Sequence, residues 1–538
     1  MVCRCPNLDN CTKADARVDI TIPKGVDARC PECGSQLVIK KSGATKFPIG
    51  MILAAVMALL VLTGIGWGVI HLIRRPTPLP IPQPLATVAT TPSPSTPTPA
   101  PNITPVPTAT PKLSPPPAAV LILRLHGSRS IGETLIPTLV EAFLKQERAT
   151  RIEKISGGES GAAKVQATFA GETSPKVIEI VPADTDSALS DLGEKKCDIV
   201  FTSRKINPDE AERLRQSGVG DMTSKEREHI IALDALAIIV HPSNPLAELS
   251  KSQLSRIFTG QITDWAQVKG SSGPITTYTQ GEKSDSSESF RALVLANAPV
   301  AGITRTCRDD SEVSDSVCSD PRAIGFVELP SIGNAKAIAV SSGGGVSLLP
   351  NQFEIATEDY ALSKRVYLYT ADNIQNSWTE KFIEFAISKP GQEVVERTRF
   401  VAMRPRIGKS KIPVTAPEEY KKFAKDAERL DVNFRFNTAS SQLDNKAIPD
   451  IDRITDLLNK PPYRGRYILL FGFADSTGTP QSNLALSKAR AETVAQQLRT
   501  RNISPAVVTG FGKELPVDSN DTEAGKEKNR RVEVWLRQ

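Results

Sequence analysis

Residues 47–73 of this 538-residue chain, FPIGMILAAVMALLVLTGIGWGVIHLI, contain no Asp, Glu, Lys or Arg. The run exceeds the ~20 apolar residues needed to cross about 30 Å of hydrocarbon, so it predicts one transmembrane helix over 47–73. It starts too late and runs too long for a cleaved signal peptide, and no small-residue cleavage site precedes the prolines that follow. A single span puts a short N-terminal piece and a long C-terminal piece on opposite sides of a membrane. Lys40, Lys41 and Lys46 lie before it and Arg74 and Arg75 after it, so the basic flanks favour a cytoplasmic N-terminus only weakly. Orientation rests on the chemistry of the two pieces.

Five of the eight cysteines fall in the first 33 residues, in CRCPNLDNC and CPECG. Two thiolates separated by two residues and followed by Gly can face one Zn²⁺, and four thiolates close a tetrahedral structural site. Residues 1–42 resemble a zinc ribbon, with Cys5, Cys11, Cys30 and Cys33 as the expected ligands and Cys3 able to replace one of the first pair. A structural zinc there belongs in a reducing compartment, which supports a cytoplasmic N-terminus.

Beyond the span, residues 76–117 hold 16 of the chain's 41 prolines. This composition favours extended polyproline II, a spacer reaching on the order of 100 Å at ~3.1 Å per residue. From residue 120 to 405, short apolar runs (VLILRL, CDIVFTS, ALAIIVHP) alternate with amphipathic ones, the texture of an α/β domain. A charged stretch, APEEYKKFAKDAERL, leads to a last domain over 430–538. A net charge of +6 over this length lacks the concentrated cationic surface that nucleic acid requires.

Within 120–405, Ser and Gly gather where strands meet helices: Ser128 and Ser130 in HGSRSIG, Ser160 in SGGESG, Ser203 and Arg204 in FTSRKI, Ser284 and Ser286 in GEKSDSSES. Free N–H groups and hydroxyls at such junctions can accept an anion. Together with ALAIIVHPSNPLAELSKSQLSRIFTGQITDWAQV, DPRAIGFVEL and ISKPGQEVVERTRFVAM, these loops make the region resemble a phosphate-type (PstS-like) solute-binding protein. The resemblance implies two lobes closing on phosphate or another small oxyanion near Ser128, Ser130, Ser160, Ser203, Ser284 and Ser286, with Arg204 as a charge partner. The chain departs from the family at QGEKSDS. Gln280 stands where the family usually has Arg, and Lys283 and Asp285 replace two glycines. An Asp beside a phosphate repels it unless the phosphate is protonated. Cys307 and Cys318 enclose a short polar segment, so a local disulfide is expected if the domain is extracytoplasmic. His126, beside Ser128, has no acid partner at motif spacing, and no enzyme is expected.

In the last domain, RYILLFGFADS reads as a buried strand. The following helix carries an apolar stripe at Ala491, Val494, Ala495 and Leu498, a spacing of i, i+3, i+4, i+7. GFADSTG, Asn483, LSKARA, GFGKELPVDSN and NRRVEVWL fall in the order of the OmpA-like peptidoglycan-binding family. The resemblance implies that Asp475 takes the ammonium and Arg490 the carboxylate of diaminopimelate in the wall peptide. Asn483, Asn529 and Arg530 would lend further contacts.

The expected fold class is α/β multidomain: a two-lobed periplasmic-binding-protein-like domain plus an OmpA-like α/β sandwich, with a small zinc ribbon and a single transmembrane helix. The expected function is a bacterial inner-membrane protein that binds peptidoglycan and carries a solute-binding domain for ligand capture or sensing. The alternative is a structural tether whose middle domain binds a protein partner.

Overall fold

The computed structural model describes residues 2–4, 20–21, 30, 38–39, 118–156, 162–342, 346–372, 376–408 and 412–538. The expected span at 47–73, the spacer at 76–117, Cys5, Cys11, Cys33 and Ser160 lie outside the described residues. Among the described residues no helix is long and apolar enough to cross a membrane. The N-terminal unit contributes β1 (Val2–Arg4), β2 (Ile20–Thr21) and β3 (Val38–Ile39), antiparallel in the order β2-β1-β3. Cys30 is buried.

The next strands are β4 (Val120–Gly127), β5 (Ala149–Ser156), β6 (Ala163–Phe169), β7 (Lys176–Pro182), β8 (Ile199–Thr202) and β9 (Glu228–Val240). They are followed by β10 (Glu248–Ser250), β11 (Thr276–Gln280), β12 (Arg305–Cys307), β13 (Ala323–Glu328), β14 (Lys336–Ala337), β15 (Ala339–Ser341) and β16 (Ser363–Thr370). One sheet runs β12-β11-β13-β9-β16-β8-β4-β7-β6-β5, with β14 also on β9, while β10 and β15 pair separately. The near-continuous apolar runs of β4 and β8 suit parallel central strands covered on both faces. The helix Leu135–Gln146 buries Leu135, Leu139 and Phe143 on one such face, against Phe382 and Phe385 of the helix Ser377–Ile387. Two lobes result, and β9 and β16 belong to both. The second half of β9 pairs with β13, its first half pairs with β16, and the end of β16 pairs with β8. These two strands form the waist between the lobes.

The C-terminal sheet has the order β17-β18-β21-β19-β20, built from β17 (Ile407–Gly408), β18 (Ala427–Arg435), β19 (Tyr467–Gly472), β20 (Val507–Gly510) and β21 (Arg531–Arg537). The helices Ala447–Leu458 and Pro480–Arg499 cover one face, on a core that includes Leu430, Phe434, Ile451 and Leu498. The stripe Ala491, Val494, Ala495 and Leu498 is buried as its spacing predicts. The charged stretch before residue 430 is part of this domain: it forms the helix Glu418–Ala424, whose Tyr420 enters an aromatic cluster with Phe471, Phe511 and Trp535 on the other face. Helix and sheet approach closely at Gly472, where a Cβ would lie 1.9 Å from the Ser487 carbonyl oxygen. Only glycine allows that contact.

β18 alternates strictly. Leu430, Val432 and Phe434 face the domain's own helices, while Arg429, Asn433 and Arg435 meet the turn 357–360 of the two-lobed domain. Asn433 Nδ2 donates to Thr357 O (2.8 Å) and Asp359 Oδ1 (2.9 Å), and Arg429 pairs with Asp359 at 2.7 Å. Glu358, in the left-handed region at φ 60°, lies 3.0 Å from Arg365 and 3.7 Å from both Arg435 and Lys446. Further contacts reach both lobes. Asn445 Nδ2 donates to Glu228 Oε1 (3.0 Å), and Lys251 lies 3.5 Å from Asp518.

The expected disulfide is absent. Cys307 and Cys318 are free thiols, because the segment between them is no loop: Asp310–Ser319 is a helix, and Cys307 Sγ faces Ser316 Oγ at 3.7 Å. Residues two apart on a helix point to opposite sides, so a sulfur that meets Ser316 lies away from Cys318.

Burial works against the Glu358 charge, but Arg365, Lys446 and Arg435 outweigh it and hold the carboxyl at about 2. A folded value below the ordinary one means stability that is present above about pH 4.5 and lost as pH falls towards 2. Replacing Glu358 by Gln removes a counter-charge shared by three buried cations, leaving Arg365 to Asp444, Lys446 to Asp450 and Arg435 to the more distant Asp359. Chemical denaturation is expected to show a loss of about 3–5 kcal/mol at pH 7, and the loss shrinks below pH 4.

Candidate functional sites

A cleft of about 940 Å³ opens between the two lobes at the carboxyl ends of β4, β7, β11, β12 and β13, the edge where open α/β sheets bind ligands. Gly127 ends β4 at φ +153°, with a virtual Cβ 1.9 Å from Phe201 O. A side chain there would push the Ser128 turn off β8. Of the serines expected in the site, Ser130, Ser284 and Ser286 line the cleft. Ser128 lies beneath it, fully buried. Ser203 and Arg204 are not in its lining.

Three donors at this cleft are already engaged by its own acids. Asp285 Oδ2 accepts from Ser128 Oγ and from the Ser130 N–H, each at 2.9 Å. Ser286 Oγ donates to Asp310 Oδ1 (2.9 Å), and Gln280 Oε1 lies 3.1 Å from the same hydroxyl. Asp310 Oδ2 accepts from the Glu328 N–H at 2.8 Å. Below, Lys364 bridges Glu328 (2.5 Å) and Asp234 (3.2 Å). Arg204 forms a fork on Glu210, at 2.7 and 2.9 Å, which meets its charge at the flank of the cleft. Burial and the Glu328 charge raise Asp285 above the usual carboxyl range and push Asp310 up to about 7. The sequence signalled Asp285 through its place in the serine loop. Asp310 and Glu328 were missed, because only the packing of β13 against the helix Asp310–Ser319 brings them there.

The second candidate lies at the end of β19. Asp475 Oδ1 accepts from the Thr477 N–H (2.8 Å), and Oδ2 pairs with Arg530 (3.1 Å). Burial raises the Asp475 carboxyl, but Thr477 and Arg530 outweigh it and leave it below its ordinary value. Asn483 Nδ2 ties the helix to the Asp475 carbonyl at 3.1 Å. Arg490 is wholly buried. Its Nε and two terminal nitrogens donate to the carbonyls of Ser440, Phe473 and Asn437 at 3.0, 3.2 and 3.3 Å, and its guanidinium lies over the Phe436 ring at 5.4 Å. No acidic side chain among the described residues comes within ion-pair distance. Burial and the neighbouring Arg530 push it down to about 10. Asp475 and Arg490 are therefore neighbours that do not neutralise each other. Asn529 differs from the other four residues, since Oδ1 accepts from the Val517 and Asp518 N–H groups while Nδ2 donates to Asp518 O and Asn520 Oδ1. Its capacity is spent on holding that loop.

Comparison with known proteins matches this division. Residues 148–390 fit the family model described as a PBP superfamily domain, and residues 435–530 fit that of the OmpA family. Protein SphX of Synechococcus elongatus is 27% identical over 207 residues, 36% of this chain and 60% of SphX. The phosphate-binding protein PstS of Borreliella burgdorferi is 24% identical over 198 residues, 34% of this chain and 70% of its own. The probable lipoprotein YiaD of Escherichia coli is 32% identical over 106 residues, 19% of this chain and 48% of YiaD. The chain fuses a PstS-like solute-binding domain of the PBP superfamily to an OmpA-like domain.

Because Asp310 is more protonated folded than unfolded between about pH 4 and 7, its contribution to stability is lost as pH rises through 7. The melting-temperature advantage of Asp310→Asn over the parent is expected to widen from pH 5 to pH 8.

Proposed function

We propose that this protein is a single-pass bacterial inner-membrane protein that holds peptidoglycan through its OmpA-like domain and presents its solute-binding domain for ligand capture or sensing outside the cytoplasm. The observation that carries the wall-binding reading is Arg490, a buried guanidinium held by three carbonyls with an acid, Asp475, beside it. A buried charge without a counter-charge is costly, and a ligand carboxylate would lower that cost as a planar fork. Asp475, braced by Arg530, presents the opposite sign to an ammonium. A zwitterionic amino acid such as diaminopimelate satisfies both, with Asn483 and Arg530 at its sides and Asn529 fixing the loop. The cytoplasmic zinc ribbon, with structural zinc on Cys5, Cys11, Cys30 and Cys33, belongs to the same reading, as does the span at 47–73. Phosphate is the ligand that the PstS likeness suggests for the middle domain. The second reading, a membrane-to-wall tether whose middle domain holds a protein partner, is favoured by one observation: Ser128, Ser130 and Ser286 already donate to Asp285 and Asp310.

The test is co-sedimentation of the full-length protein with purified sacculi. The parent is expected in the pellet, and Asp475→Ala and Arg490→Ala to weaken retention about 10- to 100-fold. Arg490→Lys would not restore it, because an ammonium lacks the fork. Retention of both alanine variants at the parent's level would overturn the assignment.

A further inference from the structure

The cleft holds its own anion. Two donors, Ser128 Oγ and the Ser130 N–H, converge on a single oxygen of Asp285 at 2.9 Å each, the arrangement in which a bound oxyanion would be gripped. We propose that Asp285 is a resident ligand of this seat and the residue that closes the cleft to inorganic phosphate, an inference that rests on the middle domain being a solute-binding cleft. Three further observations agree. Gln280, at a position where a cation would attract phosphate, is neutral and held in place: its Nε2 donates to Arg308 O and its Oε1 lies 3.1 Å from Ser286 Oγ. Arg204 is forked onto Glu210. The lining carries seven acidic side chains, Asp285 among them, against three basic ones, Arg129, Lys283 and Arg308.

A phosphate entering this cleft must displace a carboxylate from both donors and then stand in a field of its own sign. Both costs fall on the anion, since like charges at close range disfavour each other's ionised form. The Asp285 side chain starts the helix Asp285–Phe290 from the far lobe, while its two donors come from the near lobe. The same contact therefore also bridges the lobes across the cleft, as a bound solute would.

Calorimetric titration of the full-length protein with sodium phosphate at pH 7.5 tests this. The parent is expected to give no binding heat up to ~1 mM. Asp285→Gly, which empties the seat, and Asp285→Ser, which replaces the carboxylate by a hydroxyl, are expected to bind phosphate at least about 30-fold more tightly than the parent's limit. Tight phosphate binding by the parent would overturn the proposal and leave the solute-binding reading intact. Silence in both variants, with melting curves showing them folded, would overturn the proposal together with that reading. If the glycine variant fails to fold, the serine variant and the parent titration decide the outcome.

Discussion

The Glu358 carboxylate, held among Arg365, Arg435 and Lys446, is the contact on which the arrangement of the two large domains depends. Its carrier turn adopts a left-handed conformation that a non-glycine residue adopts at a cost, and the ion pairs and the Asp359 contacts hold it there. Arg365 sits on the waist strand β16 and also reaches Asp444 of the C-terminal domain at 2.8 Å. One network thus joins the strand shared by both lobes to the domain that carries Asp475 and Arg490. A buried network of this kind adds little net stability over a well-packed apolar interface, but breaking any one partner is expensive. It fixes one relative placement of the domains.

The two candidate sites follow opposite electrostatic logic. In the cleft, acids outnumber bases, and Asp285 and Asp310 take the hydroxyls of Ser128 and Ser286. In the C-terminal domain the surplus is a cation, Arg490, whose hydrogen bonds among the described residues go to carbonyl oxygens. A site that lacks a counter-charge is poised for a ligand that brings one. A site that contains its own counter-charge is closed to that ligand.

Much of this was legible residue by residue. The strand–serine–helix junctions at Ser128 to Ser130 and Ser284 to Ser286 do meet across one cleft, and Asp475, Asn483, Arg490 and Arg530 do gather at the end of one strand. The disulfide reading failed because the ten residues between Cys307 and Cys318 say nothing about the direction in which each sulfur points, and most of them form a helix. Asp310 escaped notice because it belongs to no motif, and Glu328 because DPRAIGFVEL was read only for its family likeness; only the fold of β13 against its neighbouring helix brings the two together.

The amino-acid sequence by itself determined the domain order, the apolar alternation of the strands, the helical stripe from Ala491 to Leu498 and the identity of the opposed charges, because periodicity and motif order are local properties. The tertiary structure decided the fate of the polar face of β18. Arg429, Asn433 and Arg435 alternate with apolar residues as they would on a solvent-facing strand, yet all three are buried. A period of two specifies which side chains share a face, whereas the partner of that face, here the turn 357–360, is set by residues some 70 positions away and by the ion pairs they make on contact.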